Sequence, residues 1–185
     1  MRRIDQLLCC WAAVLAFSAP VRAQEAVGED RKRMMDGFDA YAQSKYARAA
    51  TLLTEVLSRV PRPTVAYYAG RANEQLGKLV EAAALYRRAA GLPAPGTGKL
   101  LKAEQRAQSD AEVSLAALEP RIPRLTLRIG PESSQGVTVT LDGASVALDA
   151  LQAPLLLNPG SHQVEATAEC GQRNATTSQT VAIAT

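Results

Sequence analysis

The sequence predicts a two-part α+β protein, in which α-helical hairpin repeats closed by a capping helix are followed by a small antiparallel β-sandwich. Three observations carry this. Apolar residues recur at helical spacing up to Leu118 and at period two from Leu125 onward. The helical stretch is self-similar when Gly37 is laid on Gly70. Composition changes sharply at Pro120 and Pro123: every aromatic between residues 24 and 185 lies from Phe38 to Tyr86, and 125–185 holds none.

The segment 1–23 is expected to be a signal peptide. Arg2 and Arg3 form a positive start, 7–19 is apolar, and Val21-Arg22-Ala23 places small residues where a signal peptidase inspects the chain. The apolar run is shorter than the roughly 20 residues that span a bilayer as a helix. Cleavage after Ala23 would leave 24–185 with basic and acidic side chains nearly in balance, so the +3 of the whole chain falls to +1. That near-neutrality argues against nucleic acid as a partner. No later stretch is apolar enough to cross a membrane, and the expectation is an exported chain of the periplasm or cell envelope, without stable membrane insertion after cleavage. Residues 24–29 are expected to be a short disordered N-terminus.

From residue 30 to 118 the pattern is helical. Tyr46, Ala49, Ala50, Leu53, Val56 and Leu57 form one stripe, and Leu79, Ala82, Ala83, Tyr86, Ala89 and Ala90 a second. One constant shift takes Gly37 to Gly70, Ser44 to Gly77, Tyr46 to Leu79, Ala49 to Ala82, Leu53 to Tyr86 and Val56 to Ala89. Helices are predicted near 30–43, 45–59, 64–76 and 78–90. Gly37 and Gly70 would let paired helices approach, with Leu53 and Tyr86 filling the space between them. A two-repeat array leaves an apolar face open, and 98–118, with Leu101, Ala107, Ala111, Leu115 and Leu118 close to one face, is predicted to cap it.

Gly37, Ala40, Ser44, Tyr46, Ala49, Leu53 and Pro61, and then Gly70, Gly77, Leu79, Ala82, Tyr86 and Ala89, resemble the tetratricopeptide repeat. The tryptophan-like position that opens each repeat is unmatched, holding Arg33 and Ala66. The resemblance implies a protein-binding or scaffolding array without a catalytic residue set.

Pro120 and Pro123 lie in a proline-rich linker over 119–124, since prolines end helices and favour extended chain. Residues 24–124 carry a net charge of +4 and 125–185 of −3. Beyond the linker, Leu125, Leu127 and Ile129 alternate with Thr126 and Arg128. Val137, Val139 and Leu141 alternate up to Asp142-Gly143, which predicts a turn. Leu155 to Leu157 end at Asn158-Pro159-Gly160, Val164, Ala166 and Ala168 alternate, and a last strand is expected near 177–184. The string 137–143, then Pro154-Leu155, then 159–164 with His162, resembles the PEGA-type surface domain of bacterial envelope proteins. That family too implies binding or scaffolding.

Conventional catalytic and ligand-binding sites find no support in the residues. Pro95-Gly96-Thr97-Gly98-Lys99 looks like a phosphate loop, but Pro93 and Leu100 stand where it needs Gly and Ser or Thr. The mature chain would have one histidine, His162, and one cysteine, Cys170, which excludes paired-cysteine zinc sites, histidine-pair metal sites and an internal disulfide. No cofactor, metal or catalytic residue is therefore assigned. His162, after Pro159-Gly160, reads as structural. Cys170 reads either as a small buried group or as the link of a disulfide-bonded dimer. Asn174-Ala175-Thr176 has the form of a glycosylation sequon, which matters only in a eukaryotic secretory pathway.

The informative constellation is a surface. Met34, Phe38 and Tyr41 in the first copy, and Tyr67, Arg71 and Glu74 at the equivalent places in the second, are each spaced to share one helical face. The tetratricopeptide resemblance implies that these positions line a concave peptide groove, with Arg31 and Thr64 at its edge. The alternative is that Phe38 and Tyr41 only cover the core. The expected function is a non-enzymatic protein-interaction or scaffold module of the bacterial envelope, holding an acidic or extended protein segment or contacting its own acidic β half. The other reading is a structural or surface-glycan-associated protein whose β domain does the binding.

Overall fold

The computed structural model describes residues 19–128, 136–170 and 173–183. Five helices come first: α1 (Ala19–Ala42), α2 (Tyr46–Arg59), α3 (Pro63–Gln75), α4 (Leu79–Gly91) and α5 (Gly98–Leu118). α1 pairs with α2 and α3 with α4 as hairpins, α2 packs on α3, and α5 lies against both α3 and α4. Residues 24–29, expected to be disordered, belong to α1. Its midpoint is fastened to α2 by Arg59 Nε donating to Asp30 Oδ1 at 2.7 Å. The expected cleavage point also falls within α1, and residues 1–18 lie outside the described residues.

The repeat is visible in the backbone. Each hairpin turns on a left-handed residue, Ser44 (φ 57°) and Gly77 (φ 74°). In both, an amide past the end of the helix closes back on it, Lys45 N–H to Ala40 O and Lys78 N–H to Asn73 O. The glycine contacts are as the spacing predicts. A Cβ at Gly37 would lie 2.7 Å from Leu53 Cδ2, and one at Gly70 would lie 2.7 Å from Tyr86 Cε1. Leu53, Val56, Leu57, Leu79, Ala82, Tyr86 and Ala89 are buried in one core, which Ala111 and Leu118 of α5 close. Burying each leucine- or valine-sized side chain among them stabilises by about 1.5–3 kcal/mol.

The 119–124 segment is tied down rather than loose. Glu119–Arg121 form one 3₁₀ turn, Ile122 enters the helical core, and Arg121 pairs with Glu74 at 2.6 Å. Beyond it, β1 (Arg124–Leu125) pairs with β4 (Leu155–Leu156), and a four-stranded antiparallel sheet runs β3-β2-β5-β6. Its strands are β2 (Val137–Leu141), β3 (Ala144–Val146), β5 (Gly160–Cys170) and β6 (Arg173–Ile183). Asp142 and Gly143, both at positive φ, make the two-residue turn that the sequence predicts. β6 begins earlier than the strand expected near 177.

The described strands thus make a four-stranded sheet and a separate short β1–β4 pair, and Leu127, Leu151 and Leu155 pack on the face of the larger sheet that carries Val137 and Val139. The apolar supply of that face thins toward β6. Val137 and Val139 are buried, but the same face continues into Ala166 and Ala168 on β5, and Thr177 and Gln179 on β6 stay exposed.

The two parts meet at α4. Asn158 Oδ1 accepts from Val80 N–H at 2.9 Å, its Nδ2 donates to Glu81 Oε2 at 2.7 Å, and Leu157 N–H donates to Pro123 O at 3.1 Å. Among the described residues no ion pair links 30–118 to 125–185. An asparagine that caps a helix does the joining.

Candidate functional site

The structure gathers all six aromatics of 24–185 into one connected cluster. Tyr68 of α3 is its hub, edge-on to Phe38 at 5.3 Å, to Tyr41 at 5.2 Å and to Tyr67 at 5.4 Å between ring centroids. Tyr41 extends the cluster to Tyr46 (5.6 Å), and Tyr67 extends it to buried Tyr86 (5.9 Å). Edge-to-face pairs contribute about 0.5–1.5 kcal/mol each beyond their area, so these rings are positioned by one another. Met34 and Phe38 are half-buried on the helical core, Tyr41 is half-buried, and Tyr68 is 36% exposed. The outcome lies between the two readings of Phe38 and Tyr41: they cover core and also form the wall of an aromatic face.

Arg71 stands one turn beyond Tyr67 on α3. Its Nη1 donates to Tyr67 Oη at 3.0 Å, and its guanidinium lies 5.9 Å from the Tyr67 ring centre. The Tyr67 hydrogen bond is the main reason its pKa lies above the usual arginine value. Burial raises the pKa of the Tyr41 hydroxyl against the opposing influence of Arg71. Among the described residues Arg71 forms no ion pair, whereas Arg59, Arg62, Arg87 and Arg121 each reach a carboxylate.

Three other predicted positions stand apart from this face. Glu74 accepts from Tyr86 Oη at 2.7 Å and from Arg121 at 2.6 Å, so its charge is spent inside the fold. Burial first, then the Glu74 carboxylate, pushes the Tyr86 hydroxyl far above the ordinary tyrosine range. Thr64 is taken up by α5, its N–H and Oγ1 donating to Glu104 at 2.9 and 3.1 Å. Arg31 is exposed on α1.

Sequence reasoning missed Glu104 and Tyr68. Glu104 is fully buried, receives Arg62 at 2.7 Å as well as Thr64, and so caps the α3 N-terminus from another helix. Its signal was a carboxylate among the apolar positions of the predicted cap. Tyr68 sits about 100° around the helix from Tyr67, so a one-face rule discards it, yet it closes the seam between α1 and α3.

His162 is only 14% exposed, with Nδ1 2.7 Å from Asp142 Oδ2 and Nε2 2.8 Å from the Asn158 carbonyl oxygen. Hydrogen bonding to Asp142 and then to Asn158 raises its pKa, and the bond from His162, with that from Gln163 N–H, lowers the pKa of Asp142. The side chain of Cys170 lies outside the described residues, as do those of Asn174 and Ala175 in the sequon; Ile129 and Gly171 lie outside them altogether. Residues 95–97 are loop and Gly98 opens α5 after it. A cavity of about 180 Å³ lined by Asp36, Asp39, Ala40, Gln43, Lys45 and Arg48 shares no residue with the aromatic face. No described helix is long and apolar enough to cross a membrane.

Residues 37–96 match the tetratricopeptide repeat family. The matched span runs from within α1 past the end of α4, the stretch in which the repeat is seen in the backbone. Tetratricopeptide repeats generally mediate protein–protein interaction and are typically not enzymes. No curated protein and no solved structure matches the chain.

Proposed function

We propose that the chain is a non-enzymatic scaffold of the bacterial envelope that holds an acidic, extended protein segment on the α1–α3 face. The observation that carries this is Arg71: a half-buried guanidinium, held by Tyr67 and free of any carboxylate among the described residues, beside a partly exposed wall of Phe38, Tyr41 and Tyr68. Aromatic and arginine side chains are those that dominate interface energy, and an arginine already oriented loses little entropy when a carboxylate arrives. The signal-like 1–23 segment and the PEGA-like pattern of 137–164 support export and placement in the periplasm or envelope. The second reading, in which the β part does the binding in an envelope assembly, draws on β6: residues 176–180 are exposed along a sheet edge.

Binding of a panel of extended peptides graded in acidic content tests the first reading. Affinity should rise with carboxylate count, weaken with salt, and fall at least about tenfold in Arg71→Ala. Equal binding by Arg71→Ala, with its circular dichroism unchanged, would sink it.

A further inference from the structure

The loop that joins the β part to α4 depends on a single ring. Both groups that face the nitrogens of His162 are acceptors only: the Asp142 carboxylate, and the Asn158 backbone carbonyl. A neutral imidazole has one N–H and can satisfy one of them, while the other nitrogen turns a lone pair toward an oxygen at 2.7 or 2.8 Å. Both contacts are hydrogen bonds only when the ring carries two protons. The residue whose carbonyl is held is also the residue whose side chain caps α4. The orientation of that side chain is fixed, because exchanging its oxygen and nitrogen would set a donor against Val80 N–H and an acceptor against Glu81.

We propose that His162 is a proton-operated latch between the two parts of the molecule: the imidazolium holds Asn158 against the N-terminus of α4, and loss of one ring proton releases it. The charged groups around the latch are Asp142 from the β2–β3 turn and Glu81 from α4, the latter reaching Asn158 rather than the ring. Across β6 the ring's register partner is Val181, and its β5 neighbours Ser161 and Gln163 are uncharged. On release Glu81 is left without the Asn158 amide that it accepts from.

The sign follows from the direction of each shift. His162 is raised, so its contribution is fully present below the pKa of an unfolded histidine and disappears as pH rises through the folded value. Asp142 is lowered, so its contribution disappears only as pH falls through its own depressed value. The latch is therefore closed between those two limits and opens on the alkaline side.

Nitrogen NMR of the full chain, following the His162 ring and the Val80 amide together through pH, tests this. Both should titrate with one midpoint. Above it, Val80 exchange protection, corrected for base catalysis, should fall about tenfold for each unit by which that midpoint exceeds an unfolded histidine's. His162→Gln should leave Val80 without the transition. Asp142→Asn should lower both midpoints together, and this arm decides the matter if the glutamine variant does not fold. A Val80 amide whose shift and protection stay flat while the ring titrates would overturn the latch.

Discussion

In the first helical repeat Ser44 turns the chain at φ 57° and Gly37 faces Leu53; in the second Gly77 turns it at φ 74° and Gly70 faces Tyr86. The backbones follow one plan, but their surroundings differ. The α3–α4 hairpin is held by three groups from later in the chain: Glu104 caps α3, Arg121 reaches Glu74, and Asn158 caps α4. The α1–α2 hairpin has ion pairs instead, the half-buried Arg59–Asp30 and the exposed Arg33–Glu55, and an exposed pair contributes about 0–1 kcal/mol. The difference teaches that a repeat's stability here is set by what later segments place on it, not by the repeat pattern alone. The half of the aromatic face on α1 therefore rests on the less anchored hairpin.

The strongest way to break this comparison is Glu104→Ala. It leaves Arg62 without its carboxylate and Thr64 N–H without an acceptor in a buried site, which should cost about 3–5 kcal/mol in denaturant unfolding. Hydrogen exchange should show the loss in α3 and α4 before α1. Uniform loss across all four helices would erase the distinction.

A matched pair of glycine variants sharpens it. Gly70→Ala drives a methyl into the Tyr86 ring, which cannot yield because its hydroxyl is fixed to Glu74, and overpacking of that kind costs about 1–3 kcal/mol. Gly37→Ala meets the Cδ2 and Cγ of buried Leu53, an aliphatic side chain with no hydroxyl anchored to a partner, and since both substitutions gain about 1 kcal/mol of helix propensity the difference between them is set by the ring against the leucine. Thermal melts should therefore rank Gly70→Ala well below Gly37→Ala. The smallest effect is Ser44→Gly. Relieving a serine at positive φ should raise the melting temperature slightly, by no more than about 1 kcal/mol of stability, and make the first turn resemble the second.

Much of the helical half was legible because it repeats. One constant offset placed Gly37 against Leu53 and Gly70 against Tyr86, and it paired Ser44 with Gly77, the two residues that adopt left-handed backbone at the hairpin turns. Local pattern could do this because each contact is made within one hairpin. The site was legible in part. Helical spacing put Phe38 and Tyr41 on one face of α1 and Tyr67 and Arg71 on one face of α3, but the positions implied for a groove also included Glu74 and Thr64, which Arg121 and Glu104 occupy from 47 and 40 residues away. No local rule reports a partner that distant.

The β part divides the same way. Alternation predicted β2 and the Asp142-Gly143 turn, since period two and a two-residue turn are local. The sandwich is an expectation from strand number, and the described strands give a four-stranded sheet and the short β1–β4 pair. Asn158 reads locally only as the end of the 155–157 apolar run, and its bond to Val80 spans 78 residues.

The sequence by itself determined the alternation of helix and strand, the repeat and the glycines it needs, because spacing alone selects a face. Only the tertiary structure decided that Tyr68 would be the hub of the aromatic face, that Glu104 and Asn158 would cap helices they do not belong to, and that His162 would stand between two acceptors. Those outcomes depend on which segments meet in space, and hydrogen bonds between distant segments leave no period in the chain.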